Sequence, residues 1–309
     1  MSMTVEVERT ITQAKSRKNL LRQNRFQTMG YVLVWLCGLL AVAFVFWIIG
    51  YVLIQGIPLI NLEFLTTRPA GGVSGEGGMS TTIVTTLYLV ILTIIIATPL
   101  GVGAAIYLVE YAADASRESK FIAFIIKAAR SGVEILAGVP SIIFGLFGFA
   151  LFVSYMKLGF SLLSASLSGA ALILPTIIRT SEEALLTVPR SYREGSLSLG
   201  ATKWYTVFNV VLPSALPGVV TGIILSVGRI IAETAIFWVT LGGSYNLPKS
   251  IMNSGRSMAL HVYMLASETR AFDKAMATAS ILIITIILLN LSINLLSRKL
   301  TSKFSGKTS

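Results

Sequence analysis

The 309-residue chain is 54% hydrophobic and only 13% charged, with a mean hydropathy of +0.78, whereas soluble domains carry about 25% charged residues. That excludes a soluble globular protein and points to an all-α integral membrane protein. The net charge of +11 does not mark a nucleic-acid binder, because the lysines and arginines sit at the edges of apolar runs, as topology signals do.

Residues 1–30 form a basic N-terminal arm suited to the anionic headgroups of membrane lipid. A bilayer is crossed by about 20 apolar residues in a helix, and six stretches reach or approach that length: 31 to 55, 82 to 109, 132 to 156, 161 to 186, 206 to 236 and 276 to 297. The first helix, 31–56, begins too late and runs too long for a cleaved signal peptide. It contains Cys37, the single cysteine, from which neither a disulfide nor a Cys-rich zinc site can be built. An outer loop over 57–81 ends in GGVSGEGGMS, a core occupies 82–298, and a basic tail closes the chain at 299–309.

With both termini in the cytoplasm, 18 of the 25 Lys and Arg residues fall on the inner side: six before Met29, and four each over 117–130, 179–203 and 298–309. That asymmetry sets the expected orientation. Pro99, Pro140, Pro175, Pro213 and Pro217 interrupt spans, as hinges or as the ordinary kinks that membrane bundles tolerate. The single histidine, His261, has no His or Cys neighbour at ligand spacing, so a satisfied or solvent-facing side chain is expected there, and no metal site.

Between the fourth and fifth spans lies a polar, glycine-punctuated segment, REGSLSLGATKWYTVFNVVLP, at 193–213. Pro189 ends one helix, and Ser191 with Glu194 has the S-x-x-E form of a capping box. Gly200 is placed to end the short helix in a left-handed cap, and Thr202 to cap the next one. The expected product is helix, turn, helix over about 190–204 on the cytoplasmic side. Such a helix can lie on lipid headgroups or dock on a partner.

Glu194-Gly195-Ser196, three residues, Gly200, nine residues and Val210-Val211-Leu212-Pro213 resemble the E-A-A-x3-G-x9-I-x-L-P signature of the permeases of bacterial and archaeal ABC importers, with Gly195 and Ser196 in place of the alanines and Val210 in place of the isoleucine. The resemblance implies a type I ABC importer permease fold of six transmembrane helices, with 190–204 as the coupling helix between spans four and five. Glu194, Gly195, Ser196, Gly200, Leu212 and Pro213 would then carry ATPase coupling. The stretches TPLGVGAAIYLVEYA, ILAGVPSIIFGLFG, LPTIIRTSEEALLTVPRSYREGSLSLGATKW and GRIIAETAIF are similar to phosphate importer permeases, most closely the PstA-type subunit. In that family the fifth span reads R-x-x-G-E-T-A-P; here Ala232 stands for the glycine and Ile236 for the proline.

In the fifth span Gly218, Gly222, Ser226, Arg229 and Glu233 recur at steps of three and four, one face of a continuous helix. Small residues recur likewise in the third span with Glu134, and in the fourth with Arg179 and Glu182. Small residues let helices approach, and a charge among them must face a partner or a wet cavity, because lipid exposure costs at least about 2.5 kcal/mol. Arg229 and Glu233 either neutralise each other or serve a passing anion, since a guanidinium fork matches phosphate oxygens. The resemblance implicates Arg229, Glu233, Arg179 and Glu182 in transport. Glu134 is either an interfacial charge or a lining residue of the translocation path.

No catalytic constellation is present, so an enzyme is not expected. The tripeptide Gly306-Lys307-Thr308 has Thr301 where a P-loop needs glycine. No cofactor is therefore expected on this chain, and ATP and Mg would belong to a partner ATPase. The resemblance implies inorganic phosphate as substrate, a PstC-type second permease, an ABC ATPase dimer and an extracytoplasmic phosphate-binding protein as partners, no nucleic acid, and a multi-pass place in a bacterial or archaeal cell membrane. Rival expectations are a permease for another oxyanion such as molybdate or sulfate, a channel or ion-driven carrier that needs no ATPase, and a membrane scaffold.

Overall fold

The computed structural model describes residues 2–70, 77–112, 119–268 and 271–304, with side chains over 27–295. Residues 71–76 of the glycine-rich loop and the 306–308 tripeptide lie outside the described residues. The chain divides into two units after Ile54.

The first unit is a single helix, the body of α1 (Ser2–Gly56). No proline occurs before Pro58, so the basic arm and the first span run on as one helix. Phe44, Trp47 and Tyr51, spaced three and four apart, stack along one face with ring centroids 5.8 and 6.4 Å apart.

The second unit opens with a helical turn at Ile57–Leu59 and α2 (Leu62–Thr66), whose Asn61 side chain accepts from the Phe64 amide. The loop expected here is thus partly built. The spans follow as α3 (Ser80–Ile106), α4 (Lys120–Ala137), α5 (Ser141–Gly148) and α6 (Leu162–Thr187). After α6 come α7 (Arg190–Ser198), α8 (Lys203–Thr206), α9 (Leu212–Ile231), α10 (Ala235–Thr240), α11 (Met258–Ser267) and α12 (Phe272–Phe304). Wider π-helical turns extend α3 over Tyr107–Tyr111, extend α5 over Phe149–Tyr155 and join α8 to α9 over Val207–Val211. Among the described residues the only β pairings are isolated bridges.

Among the described residues five helical stretches are long and apolar enough to cross a bilayer, and a bent pair gives a sixth if its two arms count as one span. That pair corrects the third expected span. Lys120–Ala137 and Ser141–Tyr155 meet at 110° rather than forming one helix over 132 to 156. Pro140 takes an extended conformation, with ψ 139, and Val139 before it is disfavoured as helix. Pro99, Pro175 and Pro217 lie inside continuous helices. The first arm of the pair, α4, carries Lys127, Arg130 and Glu134 along one face and Ile122, Ile126 and Val133 on another, the pattern of an amphipathic helix rather than an all-apolar span.

The axis of the unit is α6, whose apolar window is 67% buried. Its first turn is fixed by Ser161, which accepts from the Ser164 amide. α9 runs antiparallel beside it, and the small residues of the fifth span make the contact. A Cβ on Gly222 would enter Thr180, one on Gly218 would press Ala184, and Ile230 reaches Gly169. Leu89, Ile173, Ile177, Ile230, Phe237 and Leu260 close the core between α3, α6, α9, α10 and α11.

Arg256 and His261 sit buried beside this core. The Arg256 guanidinium donates through Nε to the Gly243 carbonyl (3.0 Å), lies over the Tyr245 ring and reaches His261 Nδ1 at 3.4 Å. A guanidinium only donates, so Nδ1 accepts and the imidazole is neutral. His261 is therefore satisfied, as one of the two expectations had it. Burial, then the charges of Arg256 and Lys274, lower its pKa from 6.5 to about 3. The unfolded chain takes up this proton near the ordinary value while the folded one resists it. Stability is therefore full above 6.5 and is lost as pH falls toward 3. Thermal melts of the purified protein across that window are expected to fall with pH, and more steeply than those of His261→Gln.

Candidate functional site

The polar segment between the fourth and fifth spans folds as a compact hairpin of α7 and α8. Val188 and Pro189, both extended, end α6 and start α7. The helix begins at Arg190, one residue ahead of the expected capping box, so Ser191 lies inside it and Pro189 holds the N-cap without a side-chain bond. At its other end the Gly200 amide donates to Leu197 O and the Ala201 amide to Ser196 O, with Gly200 at φ 84. This is the paired bonding of a Schellman cap. Thr202 then accepts from the Tyr205 amide to start α8.

Inside the hairpin the Ser196 and Thr206 hydroxyls bond at 2.8 Å. Outside it Tyr192, Glu194, Gly195, Leu197, Trp204 and Tyr205 are exposed, as is Leu199 at 90%. An open, largely apolar cavity of about 740 Å³ lies against Tyr192, Gly195, Leu199, Thr202, Tyr205 and Val210. Leu212 and Pro213 lie apart from this face, half-buried at the first turn of α9.

One contact of the hairpin escaped sequence reasoning. Arg193 turns inward and donates through Nη2 (2.7 Å) and Nε (3.0 Å) to Glu110 Oε1, through Nη1 to Val188 O (2.8 Å) and through Nη2 to Leu185 O (2.9 Å). The two side chains are only 19% and 9% exposed. A pair so enclosed is costly to break from one side, by roughly 3–5 kcal/mol. The partners are 83 residues apart, so no local pattern announces them.

The charged residues expected on a path fall into two groups. Glu182 faces Arg130 at 3.9 Å, while Arg179 pairs with its helical neighbour Glu183 at 3.4 Å, both well exposed. Glu134, exposed on α4, lies within electrostatic reach of Glu182. The second group is Arg229 and Glu233. From the Thr180–Gly222 and Ala184–Gly218 contacts, Glu182 is level with residue 220 of α9. Arg229 stands nine residues further on, roughly 14 Å along the helix.

Glu233 does not continue the face of α9. The helix stops at Ile231, and the Glu233 carboxylate turns to accept from the Ala235 (3.1 Å) and Ile236 (3.4 Å) amides, capping α10. This corrects the expected single face, because helical periodicity is lost beyond residue 231. Mutual neutralisation is not what the geometry gives either: half-buried Arg229 makes no ion pair with any described residue. Gly218, Gly222 and Ser226 are spent on packing against α6 or buried within the bundle.

A model of the binding-protein-dependent transport system inner membrane component family matches residues 123–306. The chain belongs to that family. Among its relatives, a phosphate transport system permease protein PstA 1 of Mycobacterium tuberculosis is 33% identical over 252 residues, covering 80% of each chain. A probable ABC transporter permease protein, YqgI of Bacillus subtilis, is 29% identical over 287 residues, covering 88% of this chain and 95% of its own. The fold matches a chain in the crystal structure of a bacterial alginate ABC transporter in complex with an alginate pentasaccharide-bound periplasmic protein. That match has a TM-score of 0.61 at 15% identity, with 86% of this chain and 95% of that one covered. An inward-facing MetNI methionine ABC transporter chain aligns with a TM-score of 0.53 at 20% identity, over 72% and 94%.

This member of the family is thus a multi-pass membrane permease of the type I importer fold. Both groups of charges lie within or beside its bundle, and the α7–α8 hairpin projects an apolar face with no described element covering it.

Proposed function

We propose that the chain is the permease subunit of an ATP-driven importer of inorganic phosphate. The observation that carries this is the similarity to PstA-named permeases at about a third identity over four fifths of the chain. Arg229 adds to it: an intramembrane cation without an ion-pair partner among the described residues suits a multiply charged anion that must bind weakly and leave again. In this reading the exposed face of the α7–α8 hairpin, with Glu194 and Gly195, receives an ABC ATPase dimer. A PstC-type permease completes the pore, and an extracytoplasmic phosphate-binding protein delivers the substrate. ATP and Mg stay on the ATPase, and both termini lie in the cytoplasm, as the distribution of Lys and Arg favours. Arg179, Glu182 and Glu134 would line the inner part of the path and Arg229 and Glu233 a level deeper in the bundle.

The deciding experiment is labelled phosphate uptake in energised cells lacking other phosphate importers, with and without this chain, against excess sulfate or molybdate. Uptake that depends on the chain and resists both competitors is expected. Uptake independent of the chain overturns the phosphate assignment, and uptake blocked by sulfate or molybdate reassigns the permease to another oxyanion.

A further inference from the structure

The π-helical turn Tyr107–Tyr111 that ends the second span is gripped from three sides. Arg193 of α7 holds the Glu110 carboxylate. Arg130 of α4 donates through Nη2 to the Leu108 carbonyl at 2.8 Å. Lys203, the first residue of α8, places its ammonium 4.9 Å from the centre of the Tyr111 ring. A π turn breaks the regular i to i−4 ladder and is a local departure from the helix on either side. The same Arg193 holds the Leu185 carbonyl in the last turn of α6 and that of Val188, the residue just after it. One side chain of the exposed hairpin thus ties the end of α6, its neighbour in sequence, to the end of α3, which is remote from it in sequence.

Resting on the reading of the chain as an ATPase-driven permease, we infer that Arg193 and Glu110 form a latch through which motion of the α7–α8 hairpin is delivered to the second span at its π turn. Direct peptide connections carry such motion only to α6 and α9. α3 has no covalent link to the hairpin, yet it packs along α6 and shares the core with it, as where Ile177 meets Gly101. Without the latch α3 would be driven only through its packing on α6, and less of the bundle's motion would follow each ATP hydrolysed. Glu110 and Arg193 are positioning residues in this scheme. Neither touches substrate, and Arg193 faces away from the docking surface.

The test uses the complete importer in vesicles, with Arg193→Gln, Glu110→Gln, their double variant and Arg193→Lys. ATPase co-purification, phosphate imported per ATP hydrolysed, and the mobility of a spin label at Tyr107→Cys in a Cys37→Ser background are measured before and after trapping with ATP and vanadate. Either neutral variant is expected to keep the ATPase bound and hydrolysing while phosphate per ATP falls by about tenfold or more, as loss of two charge-assisted hydrogen bonds to one carboxylate oxygen implies. The label should cease to respond. The double variant should be no worse than the worse single one, because one interaction is removed in all three. Arg193→Lys, which keeps the charge without the fork, should recover part of both signals.

If Arg193→Gln loses the ATPase outright, Glu110→Gln, which lies outside the hairpin, decides alone. The latch is overturned if phosphate per ATP stays within about twofold of wild type with the label still responding, or if the losses of the single variants multiply in the double. Wild-type vesicles that carry no phosphate, but whose label answers to nucleotide only when both residues are intact, would sink the substrate and leave the latch standing.

Discussion

Arg229→Gln is expected to lower phosphate uptake by at least about tenfold while the permease still assembles with its partners, since a hydrogen bond to a charged group contributes roughly 1.5–3 kcal/mol. The expectation rests on what surrounds the side chain. Arg229 lies two residues before the end of α9, half-buried, and forms no ion pair with the described residues. Glu233, one turn on in sequence, gives its carboxylate to the amides that start α10 and so leaves the guanidinium without an ion pair among the described residues. Glutamine keeps much of the length and the polarity but loses the charge and the fork, so the change separates recognition of an anion from packing. Uptake by vesicles or cells, normalised to assembled complex, is the measurement. Wild-type uptake in an assembled variant would reduce Arg229 to a structural charge. Arg229→Lys should sit between the two, because an ammonium supplies the charge as a point rather than a planar pair of donors.

What was legible in the sequence follows from the range over which each force acts. Apolar runs of membrane length declare themselves residue by residue, which is why the spans could be placed and α6, bounded by Ser161 and Val188, ends close to where it was expected. Local chemistry was legible too: Gly200 and Thr202 act within four residues of themselves. The errors occur where two local signals compete. The S-x-x-E pattern at Ser191 lost to Pro189, whose fixed φ already starts the helix. The apolar run from 132 to 156 hid the 110° bend because hydropathy is blind to direction; the signal was Gly138 and Val139 ahead of Pro140, together with the amphipathic period of α4. Glu233 was placed on a helix face by counting, and counting cannot see a carboxylate that reaches forward to cap the next helix. Arg193 and Arg130 were beyond reach altogether, since their partners Glu110 and Leu108 come from a distant stretch of chain.

Gly200→Pro is expected to abolish association with the ATPase while leaving the chain in the membrane. The position has open space around it: a Cβ there would meet nothing within 4 Å, so volume is not the constraint. Conformation is. At φ 84 the backbone lies in the left-handed region, which proline, held near φ −65°, cannot enter. Proline also removes the amide that donates to Leu197 O, and with the turn displaced the Ala201 bond to Ser196 O goes as well. The hairpin would then lose both its cap and the Ser196–Thr206 contact that holds α7 against α8, scattering the exposed face of Tyr192, Gly195 and Leu199. The spans themselves are untouched, because the core of α6 and α9 lies elsewhere. Gly200→Asn is the matching control. Asparagine tolerates the left-handed region better than other side chains, keeps its amide and has room for its side chain, so the ATPase should still co-purify. If the proline variant retains the ATPase as wild type does, the hairpin is not the docking element and the partner must grip the permease elsewhere. If proline and asparagine both release it, Gly200 itself, rather than the shape of the turn, is what the partner reads.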